Sequence, residues 1–466
     1  MKKLKLGNIV KQIGGQIVHG NKEAKIKHVS YFPSDVEKES LYFDMPHPYS
    51  NLSFGPLKKR PGIIVSSSPS KFSKIMTKKT TLVKVSNSVK AYWKFVRYYR
   101  RLFDIPVIGV TGTCGKTTTT EMIKSILSTR YRVHGTIDGK NNLNYNLPYL
   151  LGINEKTEAA VFEMGVTHPG CITDSCRHFL PQVGIILNIG VYHLLGCETF
   201  EQYVAAKAEM IQGIAPGGTL VLNADDENVR KLDVSSFQGK IVTFGMGEDA
   251  DYRATHVRYT EGGMNFILHV GEKSYPLFVH GYGEENVYNA LASLAAVHAI
   301  GMNLKAAGEG LATFKQVRQH LELRQGPGGS LIIDDTWNCT PPSVNASLKV
   351  LDSLARGRQK VAVLGYMPQL GESGQQEYDK IAEKVIRAEV DWLIVIGEAE
   401  RVGKRAAELG LNPRRIRFCQ SGYDVAHALK PFLNENHLIL YKFPYKYRLS
   451  AFHTFRQLMK DTLGYA

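Results

Sequence analysis

The stretch VIGVTGTCGKTTTTEMI (residues 107–123) decides the fold. Its first five residues are apolar or β-branched apart from one glycine, the composition of a buried strand. Gly112 and Gly115 then punctuate a turn, and Lys116-Thr117-Thr118 opens a helical segment. A turn of this kind aims backbone N–H groups at phosphate oxygens, and the helix N-terminus adds partial positive charge. Lys116 is placed to reach terminal phosphates, and the Thr117 hydroxyl to ligate Mg²⁺. The general spacing G-x-x-x-x-G-K-[ST] is not strictly met, because Val110 stands where its first glycine belongs. The strand before and the helix after still make ATP the expected ligand of Gly112, Thr113, Cys114, Gly115, Lys116, Thr117 and Thr118.

Outward from this loop, residues 107–110, 159–162 and 183–187 read as buried strands, with helical periodicity after the first and third. That alternation predicts a parallel sheet with helices on its faces. Between residues 252 and 280 the period becomes two, over 264–270 and 274–279, which predicts a small antiparallel insertion. A helix is expected over 285–300. A second alternation follows Phe314, with strands expected at 330–333, 360–364, 392–396, 415–418 and 437–440, as in a doubly wound domain. Before Pro106 stand a helix-like segment at 7–13 and strand-like runs at 40–43 and 62–66. The expected class is α/β in three domains: a small α/β N-terminal substrate-binding domain (1–104), a central ATP-binding domain with a mostly parallel sheet (105–316), and a Rossmann-like C-terminal domain (317–466).

Composition excludes several classes. A chain of 466 residues is too long for one ordinary core. No apolar run reaches 18 residues, so no membrane span is expected. The opening Met1-Lys2-Lys3-Leu4 leads into a mixed polar segment, which argues against a signal peptide. Six scattered cysteines without C-x-x-C spacing predict neither a zinc site nor a disulfide framework, and a cytoplasmic monomer is expected. The net charge of +15 gathers toward the N-terminus, and residues 90–101, KAYWKFVRYYRR, interleave aromatics with bases as single-strand binders do. Yet Tyr92, Trp93, Phe95, Val96 and Tyr99 also suit the buried stripe of an amphipathic helix. Anionic small substrates explain the charge as well, so small-molecule partners are expected rather than nucleic acid.

The form T-G-T-x-G-K-T-T at residues 111–118, approached through YYRRLFDIPVIGVTG (98–112), resembles the Mur ligases. These are ATP-dependent enzymes that add amino acids to a peptidoglycan precursor, and the likeness is to their MurF branch, over residues 98–442. It implies roles for further landmarks. NNLNYNLPYLL (141–151) is similar to a substrate-facing N-N-x-x-G-x-P segment, with Asn146 for the glycine, and implies that Asn141 and Asn142 meet substrate. Glu163 at a strand end and His193 after Asn188-Ile189-Gly190 resemble, with Thr117, the family's Mg²⁺ environment. Taken alone, Glu163 reads as a cap or surface acid and His193 as a core histidine. Lys207, in EQYVAAKAEMI, matches the family's carbamylated lysine, a further metal ligand; without its neighbours it reads as an ordinary helix lysine. The resemblance makes Lys116, Lys207 and His193 the catalytic set.

Asn223-Ala224-Asp225-Asp226 resembles the family's N-x-D-D turn. Residues 285–291 resemble H-N-x-x-N-A-L with Glu285 for the histidine, which implies Asn286 and Asn289 near adenine. IDDTWNCTP (333–341) is similar to I-D-D-x-Y-N-A-N-P, which implies that Asp335 and Asn338 face the nucleotide. Lys442 matches the lysine of a late V-K-G-S segment on the substrate side, with Phe443-Pro444 following.

Departures cluster where substrates would be read. His28-Val29-Ser30-Tyr31-Phe32 stands where a D-S-R motif is expected. L-G-D-M-x-E-L-G becomes Leu364-Gly365-Tyr366-Met367-Pro368-Gln369-Leu370-Gly371. Tyr378 replaces a histidine, His320 an arginine, and Tyr192 and Leu195 an alanine and a glutamate. The resemblance implies a ligase that activates a carboxylate as an acyl phosphate for attack by an amine. Two readings stay open: a MurF-like enzyme with another substrate pair, or MurF chemistry itself, adding D-alanyl-D-alanine to a UDP-muramoyl tripeptide. A silent nucleotide-binding relative and a small-molecule kinase are the readings from other classes.

Overall fold

Each alternation of apolar runs has become a sheet of its own. The computed structural model describes residues 1–24, 26–45, 57 and 59–444, so the end of the expected third domain, 445–466, lies outside the described residues.

The N-terminal sheet runs in the order Gln16–His19, Thr81–Lys84, Ile63–Ser66, Ser40–Phe43, His28–Ser30, antiparallel only at its first pairing. Helix Ser88–Arg100, capped by the Asn87 side chain on Lys90 N–H, buries Tyr92, Phe95, Val96 and Tyr99. Phe95 meets Phe43 of the sheet with ring centroids 5.5 Å apart. Three of the five aromatics of 90–101, Tyr92, Phe95 and Tyr99, are therefore core, and Tyr98 is half-buried. Trp93 departs from the expected stripe: it is half-buried beneath the Arg177 guanidinium, 5.7 Å from its ring. Arg100 is buried in its stead, donating to the carbonyls of Phe179 (2.6 Å), Phe103 (2.7 Å) and Ile105 (3.3 Å). Three acceptors let a guanidinium leave water.

The central sheet has nine strands, ordered Lys273–His280, Gly263–Val270, Tyr252–Thr260, Lys240–Gly245, Thr219–Asn223, Val183–Ile186, Val107–Thr111, Ala159–Glu163, Val133–Gly135. Val107–Thr111 lies inside, and all five of its residues are buried. The period-two strands are not a separate insertion. Tyr252–Thr260 pairs parallel to Lys240–Gly245 at Phe244 and Tyr252, so the antiparallel meander extends the sheet. Helix Glu284–Ala299 explains this: its buried Val287, Leu291 and Leu294 share one core with Phe244, Ala254 and Phe266. The strand at 159–163 also leads into a helix, Cys171–Phe179, unforeseen because Pro169 and Gly170 interrupt the pattern.

The C-terminal sheet is ordered Glu322–Gln325, Leu331–Asp334, His437–Lys442, Gln359–Leu364, Trp392–Ile396, Ile416–Cys419, parallel except for its first pairing. The edge strand Glu322–Gln325 carries no apolar run to betray it. No described helix is long and apolar enough to cross a membrane.

A buried histidine joins the first two sheets' helices. The His178 Nδ1–H donates to the Asp174 carbonyl at 2.7 Å, leaving Nε2 to accept from the Tyr92 hydroxyl at 2.9 Å. Burial lowers the His178 pKa to about 4. Below the ordinary value near 6.5 the unfolded chain takes up a proton that the folded chain refuses, so stability falls as pH drops toward 4. The loss expected from this group is on the order of 3 kcal/mol. Thermal midpoints between pH 7 and pH 4 measure it, and His178→Gln is expected to flatten the acid limb relative to the parent.

Candidate active site

The phosphate loop is shaped by side chains far away in sequence. Gly115 has φ 81°, and a Cβ there would lie 2.3 Å from Asn289 Oδ1, so only glycine fits. The Asn188 side-chain oxygen accepts from Thr113 N–H (3.1 Å) and Cys114 N–H (2.8 Å). Those two donors are therefore committed to the protein. The anion cradle falls instead to the first turn of helix Lys116–Ser128, whose N–H groups have no carbonyl four residues back. The Lys116 ammonium lies over the loop, donating to the carbonyls of Gly112 (3.0 Å) and Thr113 (3.2 Å).

Beside the loop, the Thr117 hydroxyl donates to Glu163 Oε2 at 3.0 Å, and the Asn141 amide donates to Oε1 at 2.6 Å. Burial raises the Glu163 pKa, opposed chiefly by the charge of Lys116. A buried carboxylate whose two partners are neutral, set beside a hydroxyl and a phosphate loop, is the donor set that Mg²⁺ takes together with phosphate oxygens. No group of three or more His, Cys, Asp or Glu residues gathers for a metal among the described residues. Asn141, expected to meet substrate, holds Glu163 and also lines the neighbouring cavities.

Lys207 comes from helix Phe200–Gly213 and is 1% exposed. Among the described residues its ammonium nitrogen touches only neutral oxygens, Thr111 Oγ1 at 3.3 Å and the Gly112 carbonyl at 2.9 Å, with the Tyr203 ring 5.0 Å away. Burial, then the charge of Lys116, hold its pKa well below the ordinary lysine value. His193 has φ 55° and a pKa lowered to about 3 by burial and by the charges of Lys207 and Lys116. A cavity of about 270 Å³ is lined by Lys207, His193, Lys116, Asn141 and Asn142, and a second of about 430 Å³ shares Lys116, Asn141 and His193 with it and adds Thr117 and Glu163.

The C-terminal sheet closes the larger cavity. Lys442, 1% exposed, donates to Asp335 Oδ2 at 2.6 Å and to the Asn338 carbonyl at 2.7 Å, while Ser347 donates to the same carboxylate oxygen. Asp335 and Lys442 both line the cavity, yet each is the other's partner: the expected nucleotide and substrate contacts form a buried ion pair first. Across the cleft, the Tyr192 hydroxyl donates to Asn338 Oδ1 at 3.3 Å, and Cys114 Sγ meets Thr340 Oγ1 at 3.1 Å.

A third cavity, about 450 Å³, opens from the other side of the loop. Cys114, Gly115 and Thr118 line its phosphate end, and Asn286, Asn289, Asp225 and Glu285 its far end. Asn289 accepts from the Thr119 hydroxyl at 3.1 Å and Asn286 donates to the His280 carbonyl at 3.4 Å, so both brace the wall they line. Glu285 Oε2 is buried without a hydrogen-bond partner among the described residues. Asp226 caps the short helix Glu227–Arg230, and Asp225 accepts from the Tyr288 hydroxyl.

Similarity to known proteins accords with this geometry. The Mur ligase middle domain family matches residues 110–297, and the Mur ligase glutamate ligase domain family matches 321–442. The UDP-N-acetylmuramoyl-tripeptide--D-alanyl-D-alanine ligase of Bacillus subtilis (strain 168) is 30% identical over 362 residues, 78% of each chain. The chain belongs to the Mur ligase family. As a Mur ligase it is an ATP-dependent, ADP-forming enzyme. Crystal structure I of MurF from Acinetobacter baumannii shares its fold, with a TM-score of 0.81 at 24% identity and full coverage of both chains. A MurF ligase of Thermotoga maritima, solved in complex with ADP, superposes with a TM-score of 0.76 at 23% identity over 93% of this chain and 98% of that one.

Sequence reasoning on this Mur ligase assembled Lys116, Thr117, Glu163, His193 and Lys207 but missed what holds them. Asn188 stands in a recognisable landmark, but its grip on Thr113 and Cys114 is not legible there. Tyr203, whose hydroxyl meets Thr113 Oγ1 at 3.1 Å, and Gln369, whose carbonyl accepts from Leu194 N–H, carry no local signal, because their partners are remote in sequence.

Proposed function

We propose that the chain joins a small-molecule carboxylate to an amine, with Lys116, His193, Lys207 and the Thr117–Glu163 pair at the reacting end and the Asn286–Asn289 wall around the nucleoside. A carboxylate oxygen displaces ADP from the γ-phosphorus, and the amine nitrogen then adds to the acyl carbon, loses a proton and expels phosphate. Lys116 and the helix's first turn neutralise and position the transferred phosphoryl group, where nearly all of the catalysis lies. Mg²⁺ on Thr117 and Glu163 would supply further charge neutralisation. The observation that carries this reading is Lys207: a buried amine, held toward its neutral form with no anionic partner among the described residues, is fit to capture CO₂ as a carbamate, and lines the same cavity as His193. The units near 1–104, 105–316 and 317–466 would each bring one reactant, and the need for ATP puts the reaction in the cytoplasm.

The first pair to test is the one named for the Bacillus subtilis relative, UDP-N-acetylmuramoyl-tripeptide with D-alanyl-D-alanine. A second reading, another acid and amine, is favoured by the loop at 366–371. There the buried Tyr378 hydroxyl accepts from Met367 N–H at 2.9 Å, and Gln369 rather than an acid reaches His193. A coupled ADP-release assay decides: turnover with the first pair supports MurF chemistry, and turnover only with other pairs supports the second reading. ADP release that needs no amine and leaves a phosphorylated product would overturn the ligase reading for a kinase.

A further inference from the structure

The whole net charge of +15 resides in residues 1–104, which hold 21 lysines and arginines against six acids; the remaining residues balance at 37 of each. Within that unit the charge is patterned. Lys90, Lys94, Arg97 and Arg101 recur at i, i+4, i+7 and i+11 along helix Ser88–Arg100 and its cap, which is one face of a helix, and all four are exposed. Helix Leu6–Ile13 packs alongside and adds the exposed Lys11. The side-by-side placement is direct, since a Cβ on Gly14 would lie 3.5 Å from Lys94 Nζ. Neither helix contains an acid, and none of these five cations forms an ion pair with a described residue. The stripe is roughly 16 Å long at 1.5 Å per residue, so neighbouring charges stand within a Debye length and act together.

We propose that this cationic helix face docks the protein on an anionic phospholipid surface. A ligase site needs a few cations aimed into a cleft, whereas this row lies on the outside of a helix whose inner face is spent on packing. The chemistry favours lipid over nucleic acid for two reasons. Tyr92, Phe95 and Tyr99 point inward, Tyr98 and Trp93 are half-buried against the core, and the Trp93 ring already lies under the Arg177 guanidinium, so no row of free rings offers the stacking platform that a single-strand binder needs. The unit's cations are 17 lysines to four arginines, point charges suited to a diffuse headgroup field rather than forks that grip individual phosphates. Clusters of roughly four to eight such residues on an amphipathic helix are what anionic leaflets retain. The inference stands on charge and helix geometry and does not depend on the substrates of the ligase.

The test is co-sedimentation of the full chain with phosphatidylcholine vesicles carrying about 30% phosphatidylglycerol, against phosphatidylcholine alone, at low and high salt. The expected result is binding at least about tenfold tighter to the anionic vesicles, weakened by salt. The triple change Lys90→Glu, Lys94→Glu, Arg97→Glu should abolish it, with Lys90→Ala, Lys94→Ala, Arg97→Ala as the milder version. ADP release and thermal midpoint should stay at parental values in both, because these side chains lie outside the reacting cavities. Equal binding to neutral vesicles, or retention by correctly folded variants, would overturn the proposal. Tighter binding to a short DNA duplex than to the anionic vesicles at the same salt would overturn it too, and assign the face to nucleic acid.

Discussion

Lys116→Ala is expected to lower ADP release by roughly 10³-fold while leaving the fold intact. The fold survives because Lys116 opens helix Lys116–Ser128 and alanine is the better helix former there. Its ammonium braces only the carbonyls of Gly112 and Thr113, and the first of these still accepts from Lys207. The rate falls because phosphoryl transfer is carried by positioning and charge neutralisation, and among the described residues Lys116 is the lysine that lines both reacting cavities. The loss should exceed that of a single donor. The Lys116 charge is also the main influence opposing the raised pKa of Glu163, and it is the second cause of the lowered pKa of Lys207. Removing it favours a protonated Glu163 and a protonated Lys207 at once, the wrong state for each. Steady-state ADP release with unchanged thermal midpoint is the readout. A fall of less than tenfold would take Lys116 out of the proposed mechanism.

The sequence was most legible where structure is local. Residues 107–123 showed strand, turn and helix because each follows from its neighbours' sizes and backbone freedom, and the structure has all three. The period-two runs at 264–270 and 274–279 were legible as strands, but their membership in the central sheet was not. That depends on Phe244 pairing with Tyr252 and on a distant helix packed across the strands on either side of the join. The exchange of Trp93 for Arg100 in the buried stripe has the same origin: carbonyls at 103, 105 and 179 make burial of a guanidinium affordable, and two of them belong to the linker into the next unit. In the site, residue types were readable and partnerships were not. The motif around Asn289 implies a nucleotide contact, yet its side-chain oxygen also enforces Gly115 and accepts from the Thr119 hydroxyl. Lys442 and Asp335 were read as separate contacts and are one pair, 107 residues apart in sequence.

Lys207→Ala is expected to reduce ligation by roughly 10³-fold, and acetate in the assay to restore part of it. Local collapse cannot account for such a loss. The two oxygens that Lys207 touches keep other partners: the Thr111 hydroxyl already donates to the Met164 carbonyl at 2.9 Å, and the Gly112 carbonyl accepts from Lys116. No buried polar atom is orphaned, so the change costs packing volume only, and Lys207→Met, which refills it, separates volume from chemistry. If the lysine acted as a cation toward phosphate, Lys207→Arg would retain partial activity and a carboxylate would not help. If it acts as a carbamate, the variant lacks an anion in the cavity it shares with His193, and a small carboxylate diffusing into about 270 Å³ can stand in for it. Removal of dissolved CO₂ should then slow the parent enzyme and leave the acetate-rescued variant unaffected. Full activity of Lys207→Ala, or a loss that acetate fails to relieve while the fold is intact, would reduce Lys207 to a structural lysine and remove the carbamate from the proposed mechanism.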